Sequence, residues 1–404
     1  MEVEMKVLFI TSGSQPMPAT KGGAVETLVE GLLERNETGK KFNFEVISIY
    51  DEKAVEESHR YKKTKFIYVK RNQTMNKISN LIAACIYKTT KISINTKGDY
   101  ITRIKKIIKK NHYDKIIIQN DAKLVIPVSN VTNAQIILHL HNDYLNENIK
   151  KCEEILGKCH RVFVVSEYIK KCVLTIKNSE SQKIKVIKNC TDTEIFNPSA
   201  HLIDERNQLR SKYGIKKDDI VLLFSGRLTK TKGVKELIES FSKIKEKNIK
   251  LLIAGSSWYG VNTKVKYVRE LEILTKSLSD KIVFTGFVPY KELAKVHAIA
   301  DMALVPSIWE EPAGLVVIEA MSSSLPLIIT NSGGMPEYVN DECAIIVERD
   351  NNLIESLKKG IEELIHSKVK REKMGEAGRK HVVELFNKEQ YYNDFCKYLF
   401  EEKS

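Results

Sequence analysis

Two successive series of short apolar runs, most of them followed by a turn and then a helical pattern, constrain this chain more than any other feature. KVLFITS, FEVISIY, KIIIQN, AQIILHLH, RVFVVS and IKVIKN make the first series; IVLLFSGR, KLLIAG, KIVFTGFV, MALVPS, PLIITN and AIIVE make the second. Runs this short and this continuously apolar suit strands buried on both faces, the condition of a parallel sheet covered by helices. GGAVETLVEGLLER is the first predicted crossover helix. The fold class is therefore α/β, with two doubly wound domains facing a cleft, and ligands of such sheets bind beyond the carboxyl ends of the strands. The first series ends before Asn197 and Pro198, so residues 1–197 are predicted as one domain and 198–385 as the other.

Composition narrows the setting. The chain has 404 residues, 42% hydrophobic and 29% charged, which is ordinary for soluble globular chains. No apolar run approaches the roughly 18 residues that span a bilayer, and the stretch from Met5 to Thr11 is too short and too polar in its flanks for a signal peptide. A cytoplasmic protein is expected. Its seven cysteines form no CxxC pair and no ligand spacing with histidine, so they are read as reduced, buried thiols. Of the net charge of +13, residues 1–200 carry +11. Between Arg60 and Lys110 there are 15 Lys or Arg residues and one acid, Asp99, interleaved with Phe66, Tyr68, Ile82 and Tyr87. One reading is peripheral contact with an acidic membrane surface through an amphipathic helix, ISNLIAACIYKTTKI; the other is a solvated basic face. Nucleic acid is not the expected partner, since no zinc, helix-turn-helix or RNA-binding motif accompanies the charge.

The chemistry concentrates in PSIWEEPAGLVVIEAMSSSLPLIITNSGGMPE. Pro312 and Gly314 read as a loop entering the helix LVVIEAM, which leaves the first backbone N–H groups of that helix unpaired and suited to a diphosphate. Glu311 precedes the helix and Glu319 lies about two turns further on. Carboxylates beside a diphosphate are repelled, so both are expected to accept hydrogen bonds from neutral hydroxyls, one set on a sugar and one on a ribose. The bland alternative makes Glu319 an exposed helix residue and Glu311 a complement to the helix dipole.

EEPAGLVVIEAM followed by LPLIITNSGGMPE resembles the signature of family 4 retaining glycosyltransferases, whose two glutamates are separated by seven residues, as here. GGAVE, LHLHND, VVSEYIKK, FSGRLTKTKG and TGFVP resemble further segments of that family, in the same order along nearly the whole chain. PMPATKGGAVETLVEGL and the run at 256–260 are similar to a group that includes a bacterial spore-coat-associated enzyme. The resemblance implies the GT-B fold of two Rossmann-like domains, with the C-terminal segment at about 386–404 crossing back to complete the first. It also implies retaining, metal-independent transfer from a nucleoside diphosphate sugar, UDP-sugar favoured, to a glycan or lipid-linked acceptor in cell-envelope polysaccharide synthesis. Retention without a covalent nucleophile implies attack on the face from which the diphosphate departs.

The resemblance also assigns residues. His141, Glu311, Arg227 and Lys232 are the catalytic candidates, and Gly22, Gly23, Ser166, Val288, Pro312, Ala313, Gly314, Leu315 and Glu319 are the donor-binding ones. Arg227 and Lys232, on one loop after a strand, can hold a diphosphate and stabilise its growing charge. Lys230 falls outside the matched positions. His139 and His141 share one side of a strand, where the alternative is a satisfied core histidine or, lacking a third ligand, an incomplete metal pair. The Gly22–Gly23 turn lets backbone approach a ligand, or simply makes a tight loop. Gly286, Phe287 and Val288 would meet the base through backbone, while Gly333, Gly334 and Glu337 read chiefly as a glycine turn and helix start, with lining of the pocket as the alternative. No metal is expected, since no Asp-x-Asp motif lies in a suitable loop. Departures from the family pattern are Ala313, where Phe is frequent, Ser324, where Gly is, and Cys190 after Asn189, where Gly is common. A sugar-nucleotide epimerase and a non-catalytic structural or coat protein are the alternative functions.

Overall fold

The computed structural model describes residues 5–39, 42–70, 98–200, 203–256 and 266–401. The amphipathic helix expected at residues 78–92 and positions 257–260 of the aromatic run lie outside them. Contacts divide the chain into two compact units, the first holding residues up to Val164 and Ile169–Val186, the second Val165–Tyr168 and Ile187 onward. The helix Lys388–Phe400 groups with the second unit, where Thr191 bridges Asn387 beside it.

The first unit is a parallel sheet of seven strands: β1 (Lys6–Ile10), β2 (Asn43–Ile49), β3 (Thr64–Val69), β4 (Lys115–Gln119), β5 (Gln135–Leu140), β6 (Arg161–Val164) and β7 (Ile184–Val186). Their order is β3-β2-β1-β4-β5-β6-β7. The expected α/β class and six of these strands are observed. β3 was not anticipated, because its TKFIYV sequence, with Lys62 and Lys63 before it and Lys70 and Arg71 after it, reads as part of the charged run.

The second unit repeats the plan with β8 (Ile220–Ser225), β9 (Ile249–Ala254), β10 (Ile282–Gly286), β11 (Met302–Val305), β12 (Leu327–Thr330) and β13 (Ala344–Val347), ordered β10-β9-β8-β11-β12-β13 and parallel throughout. All six were legible as apolar runs: the inner strands are buried on both faces, and the edge strands β10 and β13 keep apolar residues at most positions. The helix Val234–Ser242 places Val234, Leu237, Ile238 and Phe241 on one buried face at helical spacing, against Leu222 and Leu251 of the sheet. In both sheets the strand order reverses beside the first strand, between β1 and β4 and between β8 and β11. Those two switch points are where ligands of doubly wound sheets bind.

Candidate active site

In the second unit the loops after β8 and β11 meet at the switch point. Gly233 has φ +68°, and a Cβ there would stand 1.8 Å from the Pro306 carbonyl oxygen, so only glycine lets the Lys230–Lys232 turn lie directly on the end of β11. Ile308 N–H donates to the Thr231 carbonyl at 2.9 Å and closes the junction. This close approach brings the Lys232 ammonium to 2.6 Å from Glu311 Oε1. The Ser307 hydroxyl donates to the same oxygen at 2.5 Å, and Ser307 is itself held where its carbonyl accepts from Thr330 Oγ1 at 2.6 Å. Glu311 is buried and Lys232 partly so. Glu311 therefore meets a cation first, which the sequence reading did not foresee when it assigned the carboxylate to sugar hydroxyls alone. An ammonium has three donors, and among the described residues Lys232 uses one of them, on Glu311.

The residues after Glu311 form an anion-receptive helix start. Among the described residues, no hydrogen bond leaves the backbone N–H groups of Ala313, Gly314, Leu315 or Val316, and no side chain caps the helix Leu315–Ser322. Four aligned donors carry the positive end of the helix dipole. Pro312 and Ala313 are buried, whereas Gly314 and Leu315 are partly open. The turn at Gly333 and Gly334 supports this loop from below. Gly333 has φ +52° and a Cβ there would sit 2.2 Å from the Glu311 carbonyl oxygen, while Gly334 N–H donates to that carbonyl at 2.7 Å. Ser166 joins the second unit here, its hydroxyl donating to the Pro312 carbonyl at 2.6 Å. Its proton is thus committed to the protein.

Glu319 lies one helix turn deeper and is buried, with 6% of its surface exposed. Burial pushes its carboxyl up to about 7, and no hydrogen bond or ion pair to the described residues offsets that cost. The exposed-helix alternative is thereby excluded for Glu319. Arg227 follows β8 directly, and Val288 follows β10. Glu337 does not line a turn passively: its carboxylate accepts from the N–H groups of Glu167 and Tyr168, each at 2.8 Å, and from the Lys188 ammonium. Ser324 has φ +57°, the left-handed conformation for which glycine is the cheapest residue, which accounts for glycine being frequent there in the family. Cys190 is buried, and burial pushes its thiol up to about 12.

The first unit carries its own cluster at the ends of β4 and β5. His141 is buried, with Nε2 3.1 Å from Gln119 Oε1 and its backbone N–H donating to Asn120 Oδ1 at 3.0 Å. The His139 and His141 rings lie on one side of the strand, centroids 4.2 Å apart. Burial holds both imidazoles neutral, lowering His141 to about 3 and His139 well below its usual value. Gln119 and Asn120, which orient His141, carried no signal in the sequence. Gly22 and Gly23 have φ +73° and +126°, as a glycine turn requires, but the group close to Gly23 is Glu26, whose Oε2 a Cβ would meet at 2.4 Å. Glu26 is buried, and burial raises its carboxyl above the ordinary range.

A third buried histidine, His297 in the second unit, is lowered to about 3 by burial. For His139, His141 and His297 the folded pKa lies below the unfolded value of 6.5, so the unfolded chain binds more protons and stability is lost as pH falls below 6.5. Each contributes about 1.4 kcal/mol per pH unit below that point. Urea midpoints should therefore drop steeply between about pH 7 and pH 5.5; equal midpoints would show that these imidazoles are not held neutral.

The family Glycosyl transferases group 1 matches residues 205–381, which contain the β8 loop, the Lys232–Glu311 pair and Glu319. Over those residues the chain carries a glycosyltransferase region. Over 390 residues it is 28% identical to YtcC of Bacillus subtilis strain 168, covering 95% of this chain and 88% of that protein. It is 26% identical to spore coat protein SA of the same strain, covering 95% and 96%. The capsular polysaccharide biosynthesis glycosyltransferase CapM of Staphylococcus aureus is 31% identical over 58% of this chain and 62% of its own. Among solved structures, Anabaena Alr3699/HepE in complex with UDP and glucose superposes with a TM-score of 0.76 at 17% identity, covering 99% of this chain and 100% of that one. A glycosyltransferase from Rickettsia africae gives 0.76 at 20% identity over 98% of both. These likenesses agree with the GT-B class. Among the described residues no helix is long and apolar enough to cross a membrane.

Proposed function

We propose that this glycosyltransferase moves a sugar, with retention and without a required metal, from a nucleoside diphosphate sugar to a hydroxyl of a glycan or lipid-linked acceptor. The observation that carries the reading is the joint arrangement of Lys232, Glu311 and the unpaired N–H groups at Ala313–Val316 around one switch point. In it, the helix start, Arg227 and the remaining donors of Lys232 take the diphosphate, whose charge grows as the glycosidic bond breaks. Glu311, neutralised by Lys232, accepts from a sugar hydroxyl without repelling the diphosphate. Glu319 accepts from the ribose hydroxyls, backbone at Val288 meets the base, and His141, held neutral, hydrogen-bonds the sugar. Gly22 and Gly23 approach the donor phosphates or the acceptor.

UDP is the favoured nucleotide, supported by the UDP and glucose named in the HepE structure. A polysaccharide acceptor is supported by the name of CapM. The basic N-terminal half favours an anionic acceptor or an acidic membrane face in the cytoplasm. A thermal-shift series with UDP, GDP, ADP and TDP, then their sugars, without divalent metal, tests the reading. UDP at a hundred times its dissociation constant should add about 2.7 kcal/mol and raise the midpoint by several degrees. A shift by another nucleotide alone would replace UDP, and no shift by any would favour the structural role that the name spore coat protein SA brings to mind.

A further inference from the structure

The donor loop is held by residues that the proposed chemistry does not use. Two successive carbonyls precede its helix, and each is fixed by one donor: the Glu311 carbonyl by Gly334 N–H at 2.7 Å, the Pro312 carbonyl by Ser166 Oγ at 2.6 Å. Ser166 sits in a segment whose backbone is gripped on both sides by the next turn, Met335–Tyr338. Tyr338 Oη donates to the Val165 carbonyl at 2.6 Å and accepts from Asn189 N–H at 2.9 Å. The Glu337 carboxylate takes the N–H groups of Glu167 and Tyr168, with the Lys188 ammonium as its third partner. Space is as tight as the bonding: a Cβ on Gly334 would stand 2.4 Å from the Pro312 carbonyl oxygen and 2.5 Å from Ser166 Oγ. Tyr338 is completely buried.

We propose that Ser166, Glu337 and Tyr338 form a strut that fixes the Pro312–Ala313 peptide plane before the helix Leu315–Ser322, and so aims the Ala313 N–H, the first of the free N–H groups at Ala313–Val316. They are positioning residues, acting through the Pro312 carbonyl rather than on substrate. The inference rests on the reading that these N–H groups receive the donor diphosphate. Its physical basis is that a peptide plane pinned at its oxygen cannot rotate, so the N–H of the same plane keeps its direction. Losing the pin frees the Pro312–Ala313 plane, and donors that must already point at a developing charge have to reorganise. A carboxylate on two backbone N–H groups is a charge-assisted contact that a neutral amide replaces only in part.

Ser166→Ala, Glu337→Ala and Glu337→Gln of the full chain test this by two independent readouts, donor turnover and backbone amide exchange over residues 311–318, read at the hydrogen-bonded amides of Glu311, Val317 and Ile318. In Ser166→Ala and Glu337→Ala, exchange over 311–318 should accelerate by about tenfold. In both, kcat should fall more than KM rises while the melting midpoint moves little. Glu337→Gln should lie between wild type and Glu337→Ala, and serves alone if either alanine variant does not fold. Unchanged exchange over 311–318 in the folded variants overturns the strut, whatever turnover does. Accelerated exchange in a protein whose wild type turns over no nucleotide sugar would uphold the strut and remove the donor reading instead.

Discussion

Lys232→Ala is expected to lower kcat by about two to three orders of magnitude and to destabilise the second unit by about 3–5 kcal/mol. Both effects follow from one geometry. Removing the ammonium leaves Glu311 buried with the Ser307 hydroxyl as its remaining side-chain donor, and an unpaired buried carboxylate is expensive. The same change removes a cation from the proposed diphosphate site, where it would act most as charge accumulates on the leaving group. Activity and stability can be separated with a double variant, Lys232→Met with Glu311→Gln. Neutralising both partners should restore most of the urea midpoint, since a buried pair replaced by neutral groups costs little, yet turnover should stay lost. If Lys232→Ala kept wild-type kcat with a donor that binds, the pair would be structural and the proposed diphosphate contact wrong.

Glu319→Gln should stabilise the protein at about pH 8 by up to about 3 kcal/mol and have almost no effect near pH 4.5. The sign follows from the direction of the shift. The folded carboxyl titrates at about 7 and the unfolded one at 4.5, so the folded state binds the extra proton between them. Its stability contribution is complete below 4.5 and lost as pH rises through about 7. Glutamine, which does not ionise, escapes that loss, and the difference between variant and wild type should grow across this window and level off above it. Nucleotide affinity should move the other way: the carboxylate accepts two ribose hydroxyls better than an amide does, so the variant should bind UDP about tenfold more weakly above neutral pH. Wild-type affinity should itself rise as pH passes through about 7. Denaturant midpoints and UDP titrations over the same pH series check both halves. A stability difference that is flat with pH would mean that Glu319 is not desolvated as described.

Legibility differed between scaffold and site for physical reasons. Parallel strands appear as apolar runs, so twelve of the thirteen strands could be read directly, and β3 was lost because the lysines in and around TKFIYV disguise its apolar residues. The glycine turn at Gly333 and Gly334 was also readable, whereas the close approach of Gly233 to the Pro306 carbonyl emerged only in the structure. Roles were harder. Ser166 looked like a residue facing the ligand and proves to spend its proton on the Pro312 carbonyl, and Glu337 looked like a helix start and proves to grip the backbone around Ser166.

The sequence by itself determined two parallel sheets, the strand ends that carry the chemistry, and the two glutamates that frame one helix start. Those properties follow from local pattern, since the burial of a strand and the opening of a helix are written in neighbouring residues. Only the tertiary structure decided that Lys232 neutralises Glu311, that Glu319 is buried deeply enough to hold its proton to about 7, and that Gln119 and Asn120 orient His141. Each joins residues distant in sequence or depends on how much water the fold excludes. Crossover connections bring such residues together at the switch points, and no local pattern records the distance or the dielectric they find there.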